Sequence, residues 1–145
     1  MTDKENFQQK YFEYNIYKGQ LEGLVKELEM LAAAEINLQT AQETLDNINK
    51  LEKSNDILVP IGGNSFIKAQ VKDTKNVLIG VGGDIVMKKP IPEAKTTIDD
   101  QLNNLADAKQ KMENQLKGLD KRMDEMEPEL EDLALKMRKP PQKKG

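Results

Sequence analysis

Two heptad repeats, one in the first third of the chain and one in the last, flank a glycine-punctuated insert patterned for β-strands. Few folds accommodate that order. A heptad repeat needs a helical partner along its apolar seam, and the nearest one is the other repeat. The chain is therefore expected to fold back as a long antiparallel coiled-coil hairpin with a β platform at the bend. The fold class read this way is α+β, mainly α. Both ends of the sequence then meet at the tip opposite the bend.

The first repeat predicts a helix over residues 4–53, a stretch without proline. Phe7 lies one heptad before Tyr14, and from Tyr14 onward Tyr17, Leu21, Leu24, Leu28 and Leu31 follow steps of three and four that fit the a and d positions of a heptad. Glu35 and Gln42 then fall on the seam between Leu38 and Leu45. The second repeat, over 92–138, is more regular: Ile98, Leu102, Leu105, Met112, Leu116, Leu119, Met123, Met126, Leu130, Leu133 and Met137, broken only by Lys109. Pro92 suits a first helical turn. Pro128 lies at an outward f position, where it removes one backbone hydrogen bond and is expected to kink or interrupt the helix. The heptad stays in phase beyond it. Residues 139–145 read as a basic disordered tail.

Between the helices, residues 57–89 are rich in Val and Ile. Gly62-Gly63-Asn64, Asp73 to Asn76 and Gly82-Gly83-Asp84 interrupt the run with residues suited to turns and positive φ. Four strands, about 57–61, 66–71, 77–81 and 85–89, make two successive β-hairpins. A four-stranded sheet of this size cannot bury its own apolar faces. Ile57, Val59, Ile61, Phe66, Ile67, Val77, Ile79, Val81 and Ile85 are therefore expected to mediate assembly with other subunits, the strands completing an intersubunit β-barrel. The glycines do not form a phosphate loop, because no GxxxxGK[ST] motif is present and they sit at hairpin turns.

Composition narrows the function. At 145 residues the length suits one domain, and 37% apolar with 32% charged residues suits an elongated helical protein with a narrow seam. The chain has no Cys and no His, which removes thiol nucleophiles, thiolate metal sites and imidazole acid–base chemistry. No acid–base or metal constellation is visible, so the expected role is non-enzymatic, with no cofactor. A net charge of −3 and a pI near 5.2 argue against nucleic acid as the partner. No apolar run approaches the ~20 residues of a membrane span. A cytoplasmic protein is expected.

The tip concentrates what remains. Five of the six aromatic residues lie between Phe7 and Tyr17. In a bend-centred register, paired positions across the hairpin add to roughly 146, which places Gly19 level with Pro128 and predicts a flexible joint there. Beyond it lie Phe7, Tyr11, Phe12, Tyr14, Ile16 and Tyr17 on one helix, and Leu130, Leu133, Leu135 and Met137 on the other. Phe7, Tyr14 and Tyr17 fit the seam, where ordinary packing accounts for them. Phe12 and Leu135 fall at f positions, and Tyr11 and Ile16 also lie off the central seam. Exposed apolar residues grouped at one end mark an interaction surface. Methionine on the seam adapts to partners of different shape.

These features resemble the prefoldin family, in its alpha class of archaeal type. The specific match is the insert from Leu58 to Ala94, LVPIGGNSFIKAQVKDTKNVLIGVGGDIVMKKPIPEA, with its G-x-x-S-F-(hydrophobic)-K-A stretch and its V-G-x-G-like turn from Val77 to Gly83. Two hairpins rather than one mark the alpha class. The resemblance implies a hetero-hexamer of two alpha-class and four beta-class subunits. It implies ATP-independent capture of unfolded proteins at the coiled-coil tips and delivery to a group II chaperonin. A structural coiled-coil adaptor for one defined protein partner is the rival reading. A nucleic-acid module using the basic tail is a third.

Overall fold

The computed structural model describes residues 2–48, 50–51 and 56–138. In chain order the elements are helix α1 (Asp3–Ile48), strands β1 (Asp56–Gly62), β2 (Ser65–Gln70), β3 (Asn76–Gly82) and β4 (Ile85–Pro90), and helix α2 (Ile91–Arg138). The expected basic tail, and part of the segment expected to carry α1 to residue 53, lie outside the described residues. The chain divides into two compact units, Met1–Ala32 with Asp107–Gly145, and Ala33–Ala106. In each, a piece of α1 runs antiparallel to a piece of α2.

Helix α1 opens with a capping box. The Glu5 amide donates to Thr2 Oγ1 at 3.2 Å, and the Thr2 amide donates to Glu5 Oε2 at 3.3 Å. The helix ends at Ile48, earlier than the heptad pattern suggests. There the Lys50 amide donates to the Asn47 carbonyl and the Leu51 amide to the Ile48 carbonyl, tight bonds that terminate a helix. Helix α2 starts one residue ahead of Pro92 and carries Lys136 and Arg138 in its last turn, where cations oppose the helix dipole favourably. It runs through Pro128 without interruption. Pro128 faces solvent, and the neighbouring Glu127 and Glu129 both bond to α1, which holds the helix together across the missing amide.

The four strands form two separate two-stranded antiparallel sheets, not one four-stranded sheet. The second hairpin repeats the first after twenty residues. Asp56 pairs with Gln70 as Asn76 pairs with Pro90, and each hairpin has an irregularity just before its turn, at Pro60/Gly62 and at Gly80/Gly82. The turns match as well. Gly62, Gly63 and Asn64 have φ of 104°, 56° and 57°; Gly82, Gly83 and Asp84 have 108°, 59° and 60°. Outside glycine, Asn and Asp are the residues that enter this left-handed region most readily. The sequence thus writes the same tight turn twice.

The core of the second unit is Leu45, Ile91, Ala94 and Ile98, with Leu38, Ala41, Ile48, Val77, Ile79 and Leu102 packed against it. Val77 and Ile79 therefore serve the chain's own core, on the inner face of β3. Polar ties hold α2 to the second hairpin. Gln101 Nε2 donates to the Gly80 carbonyl at 3.2 Å, Lys89 Nζ to Thr97 Oγ1 at 3.1 Å, and the Ile91 amide to the Lys75 carbonyl at 3.0 Å. Gln42 donates to Asp99, and Lys95 pairs with Asp46 at 2.9 Å, which fixes the two helices against each other.

Candidate functional site

The first unit carries the aromatic end. Its helix register follows from direct contacts: Lys10 with Glu129, Tyr14 with Glu127, and Glu13 with Arg122. The expected register would have set Tyr14 about one and a half turns further along α2. Gly19 is accordingly not level with Pro128. Instead Gly23 and Gly118 line one hollow together with Leu24 and Leu119. All three helical glycines of this unit have open space where a Cβ would sit, so none is required for close packing.

The off-seam apolar residues point to solvent. Phe12 is 68% exposed, Leu135 59% and Tyr11 51%, with Ile16 also exposed; Met137, expected on the seam, is exposed as well, in the last turn of α2. Phe7 stacks on Tyr11 at a centroid distance of 5.7 Å and an interplanar angle of 9°. That pairing leaves aromatic area open beside Phe12. Phe7, Tyr14, Tyr17, Leu130 and Leu133 are half-buried. Apolar residues with no burial inside the chain are a surface waiting for one.

Sequence reasoning missed the polar frame around this surface. The Tyr14 hydroxyl donates to Glu127 Oε1 at 3.0 Å, and the Tyr17 hydroxyl donates to Glu13 Oε1 at 3.0 Å. Arg122 stands 3.7 Å from the same Glu13 oxygen. The hydrogen bond to Glu127, with the nearby negative charge, raises the Tyr14 pKa above the usual tyrosine value. The hydrogen bond from Lys10 holds the Glu129 carboxyl below the usual range. The charged side chains of this frame are open to solvent and read as ordinary surface charges until the register is known.

The second unit presents apolar strand faces. Residues directly opposite in a ladder share a face. Leu58 shares an outer face with its diagonal neighbour Phe66, which pairs with Pro60, and in the repeat Leu78 shares one with Val86, which pairs with Gly80. Leu58, Phe66, Leu78 and Val86 are all exposed, Leu78 most of all at 74%. Ile61, Ile67 and Ile85 are exposed too, whereas Ile57, Val59 and Val81 are half-buried. Leu58, Leu78 and Val86 were not singled out from the sequence. Their signal was the period of two, which sets them opposite Ile57, Val59, Val77 and Ile79.

The described residues hold no group of three or more His, Cys, Asp or Glu side chains arranged for a metal ion. No helix among them is long and apolar enough to cross a membrane.

Comparison with known proteins places this geometry in context. The family profile described as Prefoldin subunit matches residues 17–136. The chain is 33% identical over 101 residues to prefoldin subunit alpha of Methanococcus aeolicus, covering 70% of this chain and 68% of that one. It is 34% identical over 92 residues to prefoldin subunit alpha of Pyrococcus horikoshii, covering 63% and 62%. Its structure is similar to the filamentous PFD of Methanocaldococcus jannaschii solved by cryo-electron microscopy. The TM-score is 0.68 at 25% identity, over 79% of this chain and 95% of that one.

Proposed function

The chain belongs to the prefoldin family, in its archaeal alpha class, and is thus a chaperone subunit; from that premise we propose that it holds unfolded proteins at the aromatic tip without consuming ATP. The observation that carries the reading is the exposure of Phe12, Tyr11, Ile16 and Leu135 at one end of the first unit. Each such contact with a client contributes about 1–2 kcal/mol by area burial. That is too little for one arm and enough for several arms acting on one chain, through effective concentration. Clients are selected for exposed apolar residues and not for sequence.

Assembly supplies the several arms. The outer faces at Leu58, Phe66, Leu78 and Val86 and the unpaired strand edges suit pairing with hairpins of beta-class prefoldin subunits, in a hexamer of two alpha-class and four beta-class chains. The strands then complete an intersubunit barrel. The hexamer works in the cytoplasm and passes its clients to a group II chaperonin, without contact to nucleic acid or membrane.

The test is suppression of aggregation. The chain, assembled with a beta-class subunit, is mixed without nucleotide with several unrelated denatured proteins. Protection of all of them is expected. Saturable binding to one folded protein, with no protection of denatured ones, would instead establish the adaptor role.

A further inference from the structure

One face of α1 in the second unit carries no charge, in a chain of which 32% of the residues are charged. Ile36, Asn37, Thr40, Thr44 and Asn47 lie along it, and all five are exposed. Their spacing keeps them on one side of the helix, with Glu43 at the border. The polar residues of this face spend their hydrogen bonds on the helix itself. The Thr40 hydroxyl donates to the Ile36 carbonyl and the Thr44 hydroxyl to the Thr40 carbonyl, both at 2.9 Å, and the Asn47 side-chain amide donates to the Glu43 carbonyl at 3.0 Å. A threonine bonded in this way holds its hydroxyl against the backbone and offers its methyl to whatever covers it. The face is written in polar residues and behaves as an apolar one.

Two hollows share Thr40, Thr44 and Ile48. One, of about 430 Å³, is walled by Ile57 and Val71 of the first hairpin region; the other, of about 440 Å³, by Val77, Ile79 and Gly80 of β3. The two threonines thus have the first hairpin beside one hollow and the second hairpin beside the other. β1 and β3 belong to separate two-stranded sheets, so each is an edge strand with unpaired backbone groups. An extended segment can pair with such an edge while laying its side chains on a helix, and a helix cannot. The chain displays the chemistry of the fit in its own core. Val77 and Ile79, alternate residues of one strand, pack against the cluster that includes Leu45, with Ala41 and Ile48 of the same helix.

We propose that the face of Thr40 and Thr44, between the two hairpins, seats a β-strand of a beta-class prefoldin subunit that carries branched apolar residues at alternate positions. The inference rests on the assembly reading above and adds a second surface to it. Leu58, Phe66, Leu78 and Val86 meet a partner on the outer faces of the strands, whereas the threonine face receives one on a helix. A partner hairpin is then held by main-chain pairing at a strand edge and by side-chain burial on α1.

Thr40→Lys with Thr44→Lys puts two charges on the seat. Both positions are exposed, so chemical unfolding of the free chain should be unchanged. The yield of hexamer with a beta-class subunit, read by native mass spectrometry, should fall about tenfold or more, because a charge buried without a partner is strongly unfavourable. Thr40→Val with Thr44→Val keeps the branched shape and removes the hydroxyls, and should assemble normally. A full yield from the lysine pair, or a failed assembly of the valine pair, overturns the seat. A third arm uses the unaltered chain. Amide hydrogen exchange across residues 37–47 should slow on assembly, and equal rates in the free and assembled chain overturn the proposal. A dimer of this chain alone that the lysine pair abolishes would give the seat to a second copy and overturn the partner assigned here. An unaltered chain that does not assemble with a beta-class subunit contradicts the assembly reading itself, whereas normal assembly indifferent to the lysines removes only the seat.

Discussion

Tyr14 on α1 donates its hydroxyl proton to Glu127 on α2 at 3.0 Å, one residue before the proline of that helix. This bond sets the register of the tip. It also gives Tyr14 a distinct titration. A phenolate at this position loses a donated hydrogen bond and faces a carboxylate, so its pKa is raised. Ultraviolet titration should find one of the three tyrosines ionising later than the others. Glu127→Gln should bring it back toward the ordinary value. The sign follows from linkage. A raised folded-state pKa means that this contribution to stability is complete below the ordinary tyrosine value. It is lost as pH rises through the folded one.

Asp73 gives the opposite dependence. The amides of Lys75 and Asn76 donate to its carboxylate at 2.9 and 3.1 Å, and the Asn76 side chain adds a third bond. These bonds hold its carboxyl below the usual range. The stability they contribute is present above the unfolded carboxylate value and is lost as pH falls through the folded one. Asp73→Ala should lower the thermal midpoint at neutral pH and have a smaller effect in acid. An equal effect at both pH values would contradict the charged turn.

Heptad spacing and turn chemistry made the two helices and two hairpins legible, because both are local. Phe12 and Leu135 could be set outward by the heptad frame alone, and both face solvent. The cross-helix register could not be read. It depends on where α1 stops; Ile48 and Leu51 fall off the heptad frame, which reads equally as a change of packing partner within a longer helix and as the helix end that the structure places at Ile48. With the register misplaced, the partners of Lys10, Tyr14 and Arg122 were out of reach. The faces of β3 were ambiguous for a related reason. Its residues are nearly all apolar, so only packing against Leu45 and Ile98 separates inner Ile79 from outer Leu78.

That separation is testable. Ile79→Ala should destabilise the chain by about 1–3 kcal/mol in chemical unfolding, below the range for a fully buried site because Ile79 is only half-buried. Leu78→Asp should leave that stability nearly unchanged and block entry into the hexamer, as read by native mass spectrometry. Normal assembly of the Leu78 variant would remove the outer face from the assembly surface.

The glycines opposite each other in the first unit offer a gain. Gly23→Ala and Gly118→Ala each place a Cβ in open space within a helix interior. Each should raise stability by roughly 0.5–1 kcal/mol, since glycine is the poorer helix former. Loss of stability in either variant would mean that the hollow they line with Leu24 and Leu119 is narrower than described.

The most direct test of the account is client capture by Phe12→Ser with Leu135→Ser, assembled with a beta-class subunit and checked for an intact hexamer by native mass spectrometry. The two exposed side chains hold no other part of the fold, so assembly should be normal and aggregation suppression should fall severalfold. A normal hexamer that protects denatured proteins as well as the unaltered chain would show that the aromatic tip is not where clients are held.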